Sequence, residues 1–310
     1  MSKTAFIFPG QGSQAVGMGK DLFDNFSISR EVFEEADDAL GFSLSEMCFS
    51  GTAEDLALTS NTQPAILTVS VAAFRAMVSE GFPIPDFVAG HSLGEYSALV
   101  AAGAVNFTDA VKTVRKRGTY MQNAVPFGVG AMAAILGLPL ETVEITCEEA
   151  KQGQVCNAAN INSPSQVVIA GNTEAIDRAI EILKERGAKR AIKLNVSAPF
   201  HCALMLPAQE KLAADLQKIN FQDLTVPIIE NISAESNVKA ERVRTALTEQ
   251  VSKPVRWAQT IENLIVEEVE TFVEVGTGKV LSGLVKQINR DVRSLNVENS
   301  TSLKEVLNNL

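Results

Sequence analysis

Short apolar runs alternate with longer segments of helical periodicity along most of the chain. Runs of about four to eight apolar residues favour buried strands, and apolar positions three and four residues apart favour helices. The sequence predicts strands at residues 4–8, 86–89, 131–136, 155–160, 166–170, 190–196, 226–230 and 271–275. It predicts helices at residues 63–80, 93–102, 140–152, 173–186, 239–251, 257–266 and 280–288, and one that is capped by Thr108 and ends before Pro126. This alternation predicts an α/β fold with a mostly parallel sheet.

The segment 128–196 has the element order βαββαβ, which is the order of a split, ferredoxin-like unit. Such a unit can form a small domain inserted into a larger one. The pattern therefore predicts a discontinuous large domain at residues 1–127 and 197–310, with a small domain at 128–196. The mostly polar end after Asn296 is expected to be a loosely held tail.

One hexapeptide, GHSLGE at residues 90–95, combines a predicted strand, a G-x-S-x-G turn and a predicted helix. In a nucleophile elbow, glycines flank the serine so that the turn can be tight, and the hydroxyl is presented at the carboxyl end of the strand. The helix N-terminus behind it offers free N–H groups where an attacked carbonyl would develop its oxyanion. The context therefore favours Ser92 as a nucleophile.

A serine needs a base near neutral pH, and histidine is the usual one. The chain has only two histidines, His91 and His201. Side chains of adjacent residues diverge in a sharp turn, so His91 is poorly placed to serve Ser92. A lone histidine after a strand often has only a structural role, but His201 is the remaining candidate base, and we therefore favour it.

Composition narrows the function class. The 310 residues are 46% hydrophobic and 21% charged, as in an ordinary globular protein, and the net charge of −10 argues against bulk nucleic-acid binding. The N-terminal residues lead directly into a predicted strand, with no signal-peptide pattern, and no apolar run reaches the length of a membrane span. The four cysteines lack C-x-x-C spacing, which fits reduced cysteines in a cytoplasmic protein.

Several motifs occur together in one order: FPGQGSQ at 8–14, GHSLGE at 90–95, RG at 117–118 with MQ at 121–122, NSP at 162–164 and SAPFH at 197–201. With these motifs the chain strongly resembles the malonyl-CoA:acyl carrier protein transacylases of dissociated bacterial fatty acid synthesis, from Phe6 to about Ile288. The resemblance implies an α/β-hydrolase-like large domain with a ferredoxin-like insertion. It also implies malonyl-CoA and acyl carrier protein as partners, with no metal or other cofactor.

The resemblance further implies a role for each matching residue. Ser92 would be the acylated nucleophile and His201 its base, with the backbone carbonyl of Gln250 orienting the histidine. The backbone N–H groups of Gln11 and Leu93 would form the oxyanion hole. The remaining residues expected to contact substrate are Arg117, Met121, Asn162 and Phe200. The bulky ring of Phe200 fits a malonyl group better than a branched one.

Arg117 decides the acyl group. By itself, the run Arg115-Lys116-Arg117 is most simply a solvated helix face. Residues two apart on a helix point to nearly opposite sides, however, so Arg117 can face inward while Arg115 faces water. The resemblance makes Arg117 a clamp for the malonyl carboxylate, which a guanidinium can bind through two parallel N–H···O bonds.

Two other functions use the same features. A serine hydrolase or thioesterase would share the elbow, and a non-catalytic carrier-binding scaffold would share the fold.

A carrier protein is acidic and so is this chain, so docking needs a local basic surface. The stretch 184–193 holds five basic residues and one acidic one. It nominates Lys189 and Arg190 as docking residues, with Lys286 on the large domain, although ordinary solvated positions explain each of them equally well.

Overall fold

The computed structural model describes residues 3–196 and 198–310. Its strands are β1 (Lys3–Phe8), β2 (Phe87–Gly90), β3 (Gly130–Leu136), β4 (Cys156–Ser163), β5 (Gln166–Asn172), β6 (Arg190–Lys193), β7 (Ile228–Ile229), β8 (Ser236–Asn237), β9 (Val269–Val275) and β10 (Arg293–Val297). The first seven α-helices are α1 (Lys20–Asn25), α2 (Ser27–Leu40), α3 (Leu44–Ser50), α4 (Ala53–Ala57), α5 (Thr59–Ser79), α6 (Gly94–Ala101) and α7 (Phe107–Gln122). The others are α8 (Leu140–Lys151), α9 (Thr173–Glu185), α10 (Leu206–Leu216), α11 (Ala240–Gln250), α12 (Trp257–Val266), α13 (Val280–Ile288) and α14 (Ser300–Leu307).

The larger sheet has the strand order β10-β9-β1-β2-β7-β8, and all its pairs are parallel except β7 with β8. Alternation along β1 shows how this sheet is buried on both faces. Phe6 and Phe8 pack into one hydrophobic core, whereas Ala5 and Ile7 pack into the core on the opposite face. Strands covered by helices on both sides read as nearly continuous apolar runs, which is why the sequence pattern identified β1.

The smaller sheet, β4-β5-β3-β6, is antiparallel and has its own core. On one face, Ala133 and Ile135 of β3 pack with Val143 of α8 and Ile176 of α9. The predicted fold class, an α/β-hydrolase-like large domain with a parallel sheet and an inserted ferredoxin-like small domain, is confirmed by the parallel-dominated larger sheet and the separate antiparallel one. The domain boundaries at 128 and 197 stay a prediction, which this separate core supports; Ser197 itself lies outside the described residues, as do Met1 and Ser2.

Helix α5 begins earlier than the sequence predicts, at Thr59 rather than at residue 63, and therefore contains Pro64. Proline has no N–H to donate to the carbonyl four residues before it, which usually weakens a helix. Here that carbonyl, on Ser60, accepts a hydrogen bond from Arg115 Nη1 at 2.6 Å. A partner from a distant helix thus satisfies the group that the proline leaves free.

The start of α7 also differs from the prediction. Its N-cap is Asn106, whose side chain accepts a hydrogen bond from the Asp109 N–H at 2.8 Å. Thr108 instead donates to Glu35 of α2 at 2.7 Å. The prediction of Thr108 as the cap is therefore wrong; asparagine and threonine both cap helices, and residue type alone does not decide between positions two residues apart.

The expectation of a loose tail after Asn296 is wrong. β10 extends the larger sheet beside β9, and α14 follows it with a capping box between Asn299 and Ser302. Leu303 and Val306 are buried in the main core. Two apolar residues at helical spacing were too weak a signal within a polar segment.

Besides β10 and α14, the elements that have no counterpart in the sequence prediction are α1, α2, α3, α4, α10 and β8. Conversely, β6 ends at Lys193 and β7 spans only Ile228–Ile229, so both are shorter than predicted. Among the described helices, none is long and apolar enough to cross a membrane.

Candidate active site

The turn between β2 and α6 holds Ser92 in a left-handed backbone conformation, with φ of 51°. The flanking glycines are required by close backbone approach. A Cβ on Gly90 would lie 2.0 Å from the carbonyl of Gly94, and one on Gly94 would lie 2.1 Å from the carbonyl oxygen of Phe8. The strand, the turn and the helix therefore pack against one another with no room for side chains at those two positions.

Ser92 and His201 are joined by a hydrogen bond of 2.8 Å between Oγ and Nε2. On the other side of the ring, His201 Nδ1 lies 2.7 Å from the backbone carbonyl of Gln250. Because a carbonyl only accepts, Nδ1 carries the hydrogen and Nε2 is left to accept the serine proton. Burial, reinforced by the nearby charge of Arg117, lowers the pKa of His201 to about 3. The imidazole is therefore neutral near pH 7 and able to act as a base.

Arg117 is buried, with only 1% of its surface exposed, although it is charged. Nη1 donates to Gln63 Oε1 at 2.9 Å, while Nη2 donates to Gln250 Oε1 at 2.8 Å and to Ser92 Oγ at 3.0 Å. These three partners are uncharged, and burial lowers the pKa of the guanidinium. A buried guanidinium held by neutral groups beside a cavity is suited to bind an anionic substrate group.

Arg115 does not face water as the sequence suggested. It is half-buried, donates to the Ser60 carbonyl and to Asn61 Oδ1, and lies 5.0 Å from the ring centre of Phe42. Packing of α7 against α5 thus partly covers Arg115 as well, but only Arg117 is fully buried and lines the cavity.

A cavity of about 410 Å³ opens between the two sheets. Most of the predicted site residues line it: Gln11, Ser92, Leu93, Arg117, Met121, Asn162, Phe200 and His201. Met132, Ala134 and Val168 of the smaller sheet form its opposite wall. Gln250 does not line the cavity, but it contacts Arg117, His201 and the Ser92 backbone carbonyl, to which its Nε2 donates at 2.8 Å. The structure thus brings together residues that are far apart in the sequence.

His91 does not contact the Ser92 hydroxyl. Its Nε2 lies 2.9 Å from Asn162 Oδ1, and its ring centre lies 5.5 Å from that of Trp257. Burial lowers the pKa of His91, so the ring is neutral and can donate to the amide oxygen. Asn162 is therefore held with its amide group at the cavity wall.

The three docking candidates lie outside the cavity and are exposed. Arg190 is directly opposite Leu136 in the β3–β6 pair, and Ile192 is opposite Ala134. Directly opposed residues of an antiparallel pair project from the same face. Since Ala134 lines the cavity, Arg190 lies on the cavity face of the smaller sheet. Lys286 lies on α13, which contacts β4 at the other edge of that sheet.

Sequence reasoning missed three buried polar residues of the site: Gln63, Glu95 and Asn231. Glu95 Oε2 accepts a hydrogen bond from Gln250 Nε2 at 2.6 Å, and burial raises the pKa of this carboxyl to about 8. Asn231 Oδ1 accepts from the Ser92 N–H at 2.7 Å. Glu95 ends the GHSLGE motif and Asn231 directly follows a predicted strand. These positions in the sequence could have marked both residues as candidates for the site.

The fold and this site define an acyl transferase, and the family model described as an acyl transferase domain matches residues 5–305. The malonyl CoA-acyl carrier protein transacylase of Bacillus subtilis is 49% identical over 311 aligned positions, covering 100% of this chain and 98% of that protein. The enzyme of the same name from Escherichia coli K12 is 50% identical, covering 93% of each chain. A solved malonyl-transacylase in complex with a type II PKS acyl-carrier protein is 45% identical, with a TM-score of 0.98 and full coverage of both chains.

The chain belongs to the malonyl-CoA:acyl carrier protein transacylase family. The resemblance that the motifs indicated is therefore confirmed.

Proposed function

We propose that this enzyme transfers the malonyl group from malonyl-CoA to the phosphopantetheine thiol of acyl carrier protein, supplying fatty acid elongation. The observation that carries the proposal is the meeting of Ser92, His201 and Arg117 in one cavity. The names of its relatives, and the complex of one of them with a carrier protein, support the same reaction.

In the first half-reaction the malonyl carboxylate binds the Arg117 guanidinium, and Ser92 Oγ attacks the thioester carbonyl. His201 Nε2 takes the hydroxyl proton as the new ester bond forms. The backbone N–H groups of Gln11 and Leu93 stabilise the oxyanion. As the carbon–sulfur bond breaks, His201 returns that proton to the coenzyme A sulfur, leaving malonyl-Ser92.

In the second half-reaction the carrier-protein thiol gives its proton to His201 Nε2 and attacks the malonyl ester. The ester carbon–oxygen bond breaks, and Ser92 Oγ recovers the proton from His201. The same base therefore serves both halves of a ping-pong cycle, which requires that its neutral form be restored after each transfer.

The cavity wall accounts for the shape of the acyl group. Met121 and Phe200 are buried and line the cavity, and Gln63 Nε2 lies 3.7 Å from Met121 Sδ. The bulky ring of Phe200 in this wall is expected to favour an unbranched malonyl unit over one with a substituted α-carbon. Asn162, oriented by His91, offers an amide to the substrate.

We infer that the acidic carrier protein docks on the basic residues around the cavity face of the smaller sheet. Arg190 begins β6 at one edge of that sheet and Lys189 directly precedes it, whereas Lys286 lies beside the opposite edge. Of their basic neighbours, Lys193 is paired with Asp177, and Arg186 is paired with Glu149.

We also infer a cytoplasmic location, since the four cysteines form no disulfide and the substrates are a coenzyme A thioester and acyl carrier protein.

Intact-mass measurement after brief exposure to malonyl-CoA tests the proposed reaction. The wild-type enzyme should gain one malonyl group and lose it when holo carrier protein is added. Ser92→Ala should gain none, and His201→Ala should be labelled orders of magnitude more slowly. A normal adduct in Ser92→Ala would refute the nucleophile, and rapid release of free malonate despite carrier protein would indicate a thioesterase.

A further inference from the structure

Asn231 lies at the carboxyl end of β7, next to the strand that carries the nucleophile elbow. β2 and β7 are parallel, with Val88 opposite Ile228 and Ala89 opposite Ile229. The carboxyl ends of parallel neighbours meet at one edge of the sheet, so Asn231 lies beside the turn that contains Ser92. Its side chain is fully buried.

The Asn231 amide spans the elbow by two hydrogen bonds of opposite sense. Oδ1 accepts from the Ser92 N–H at 2.7 Å, and Nδ2 donates to the Gly90 carbonyl at 2.6 Å. One side chain thereby binds the residue that ends β2 and the residue that carries the nucleophile. Only a group with both a donor and an acceptor can do this.

The backbone of Asn231 is held by Arg256, which lies outside the elbow, and by Glu95, the last residue of the GHSLGE motif. The Asn231 carbonyl accepts from the Arg256 N–H at 2.9 Å, and the Asn231 N–H lies 3.4 Å from Glu95 Oε2. The amide is thus a fixed bracket, whereas Ser92 is in a left-handed conformation that non-glycine residues seldom adopt. The bracket stabilises the conformation that the serine would otherwise leave.

We propose that Asn231 is a positioning residue for the nucleophile, holding the elbow so that Ser92 Oγ meets His201 Nε2. The inference rests on the proposed acyl transfer through Ser92, and it adds a residue that contacts neither substrate nor base. The hydrogen bond from the Ser92 N–H to Asn231 also restrains the backbone of Ser92. It thereby restrains the orientation of the next peptide group, which bears the Leu93 N–H.

Two variants of Asn231 test the proposal. Asn231→Ala removes both hydrogen bonds to the elbow, together with the longer one that Oδ1 accepts from Gln250 Nε2 at 3.4 Å. Asn231→Asp keeps the shape and the acceptor for Ser92 but places an oxygen against the Gly90 carbonyl. Asn237→Ala is a matched control, because this buried asparagine also brackets a turn, accepting from the Lys239 N–H at 2.7 Å and donating to the Lys239 carbonyl at 3.2 Å.

The primary measurement is the single-turnover rate of Ser92 acylation at saturating malonyl-CoA. Both Asn231 variants should be slowed by about 10²-fold, the effect expected of a misplaced reacting group. In a Ser92→Ala background, which cannot react, the same substitutions should change the malonyl-CoA dissociation constant by less than about twofold. Asn237→Ala should acylate at close to the wild-type rate even if its melting temperature falls equally.

Several results would overturn the proposal. Acylation at the wild-type rate in both Asn231 variants would do so, as would a loss of acylation rate in Asn237→Ala that matches theirs at equal stability.

Inactivation of Ser92 by phenylmethylsulfonyl fluoride gives a readout that needs no malonyl group. If wild-type protein reacts with this reagent but not with malonyl-CoA, the proposed function fails; if the Asn231 variants react with the reagent as fast as wild type, the positioning role fails.

Discussion

At the residue scale, the two groups that exchange a proton are both in left-handed backbone conformations. Ser92 has φ of 51° and His201 has φ of 58°. Such conformations cost a non-glycine residue about 1–3 kcal/mol and persist only where the surroundings impose them. Here the surroundings are the Asn231 bracket for the serine and the Gln250 carbonyl for the histidine. Both strained residues lie at the cavity, which is consistent with a preorganised site.

The lowered pKa of His201 predicts an unusual pH profile. The base works in its neutral form, so activity is lost only as pH falls through the pKa, here about 3 instead of the ordinary 6.5. We expect kcat/KM for malonyl-CoA to be nearly constant between about pH 7 and pH 5, where an enzyme whose histidine had the ordinary pKa would lose about 25-fold. Stopped-flow acylation across this range is the measurement. An acidic limb centred near pH 6.5 would contradict the burial argument.

Arg117→Ala should lose malonyl transfer selectively. The carboxylate would lose two charge-assisted hydrogen bonds, so kcat/KM for malonyl-CoA should fall by about a hundredfold or more. Acetyl-CoA lacks the carboxylate and should lose less, although Arg117 also contacts Ser92 Oγ. The ratio of the two rates is therefore the measurement. Arg115→Ala is the control, because it removes a guanidinium from the same helix outside the cavity, and it should leave the malonyl-to-acetyl ratio unchanged. An unchanged ratio in Arg117→Ala would exclude Arg117 as the clamp.

At the element scale, close packing of α7 on α5 positions the arginine. Gly118 lies at this contact, where a Cβ would be 2.5 Å from the Thr59 carbonyl oxygen. The approach brings Arg117 within reach of Gln63 on α5. A glycine inside a helix is unfavourable by about 1 kcal/mol, so its presence here follows from helix–helix distance rather than from local preference.

Gly118→Ala should therefore destabilise the protein by about 1–3 kcal/mol through overpacking, and should lower the malonyl-over-acetyl preference as the helices separate. Urea unfolding and the ratio of acylation rates measure the two effects. Gly283→Ala on α13 is the matched control, since a Cβ there meets nothing within 4 Å. It should be neutral or stabilising, by up to about 1 kcal/mol. Equal behaviour of the two variants would argue against packing at Gly118.

At the scale of the whole molecule, the negative net charge opposes docking of an acidic carrier protein. The net charge of −10 repels an acidic partner, so association depends on the distribution of basic residues. Those nominated here flank the cavity face of the smaller sheet. The surface that receives the carrier protein would thus adjoin the wall that receives its phosphopantetheine arm.

Lys189→Glu with Arg190→Glu should weaken the carrier-protein half-reaction by about tenfold and reduce its salt dependence. Malonylation of Ser92 by malonyl-CoA should change little. The control, Arg30→Glu with Lys304→Glu, makes the same change in net charge at exposed positions outside β6. Equal losses in both half-reactions would indicate damage to the pocket, and equal effects of the two double variants would exclude a local dock.

The sequence by itself determined the features that short, continuous stretches of chain encode. The apolar run of β1, the βαββαβ order of the smaller sheet and the GHSLGE elbow each lie within one segment. The family followed because its motifs are local strings in a set order. The cap of α7 was harder because two nearby residues are of types that cap helices, and the polar C-terminal segment was harder because only two apolar residues marked its helix.

Only the tertiary structure decided which distant groups meet. The Ser92–His201 pair spans 109 positions and the Ser92–Asn231 pair spans 139, separations at which no periodicity carries information. The burial of Arg115, the tolerance of Pro64 within α5 and the order of α14 likewise depend on partners from other elements. Burial and hydrogen-bond satisfaction belong to the packed molecule, because the group that replaces water at a buried site comes from wherever the chain folds back.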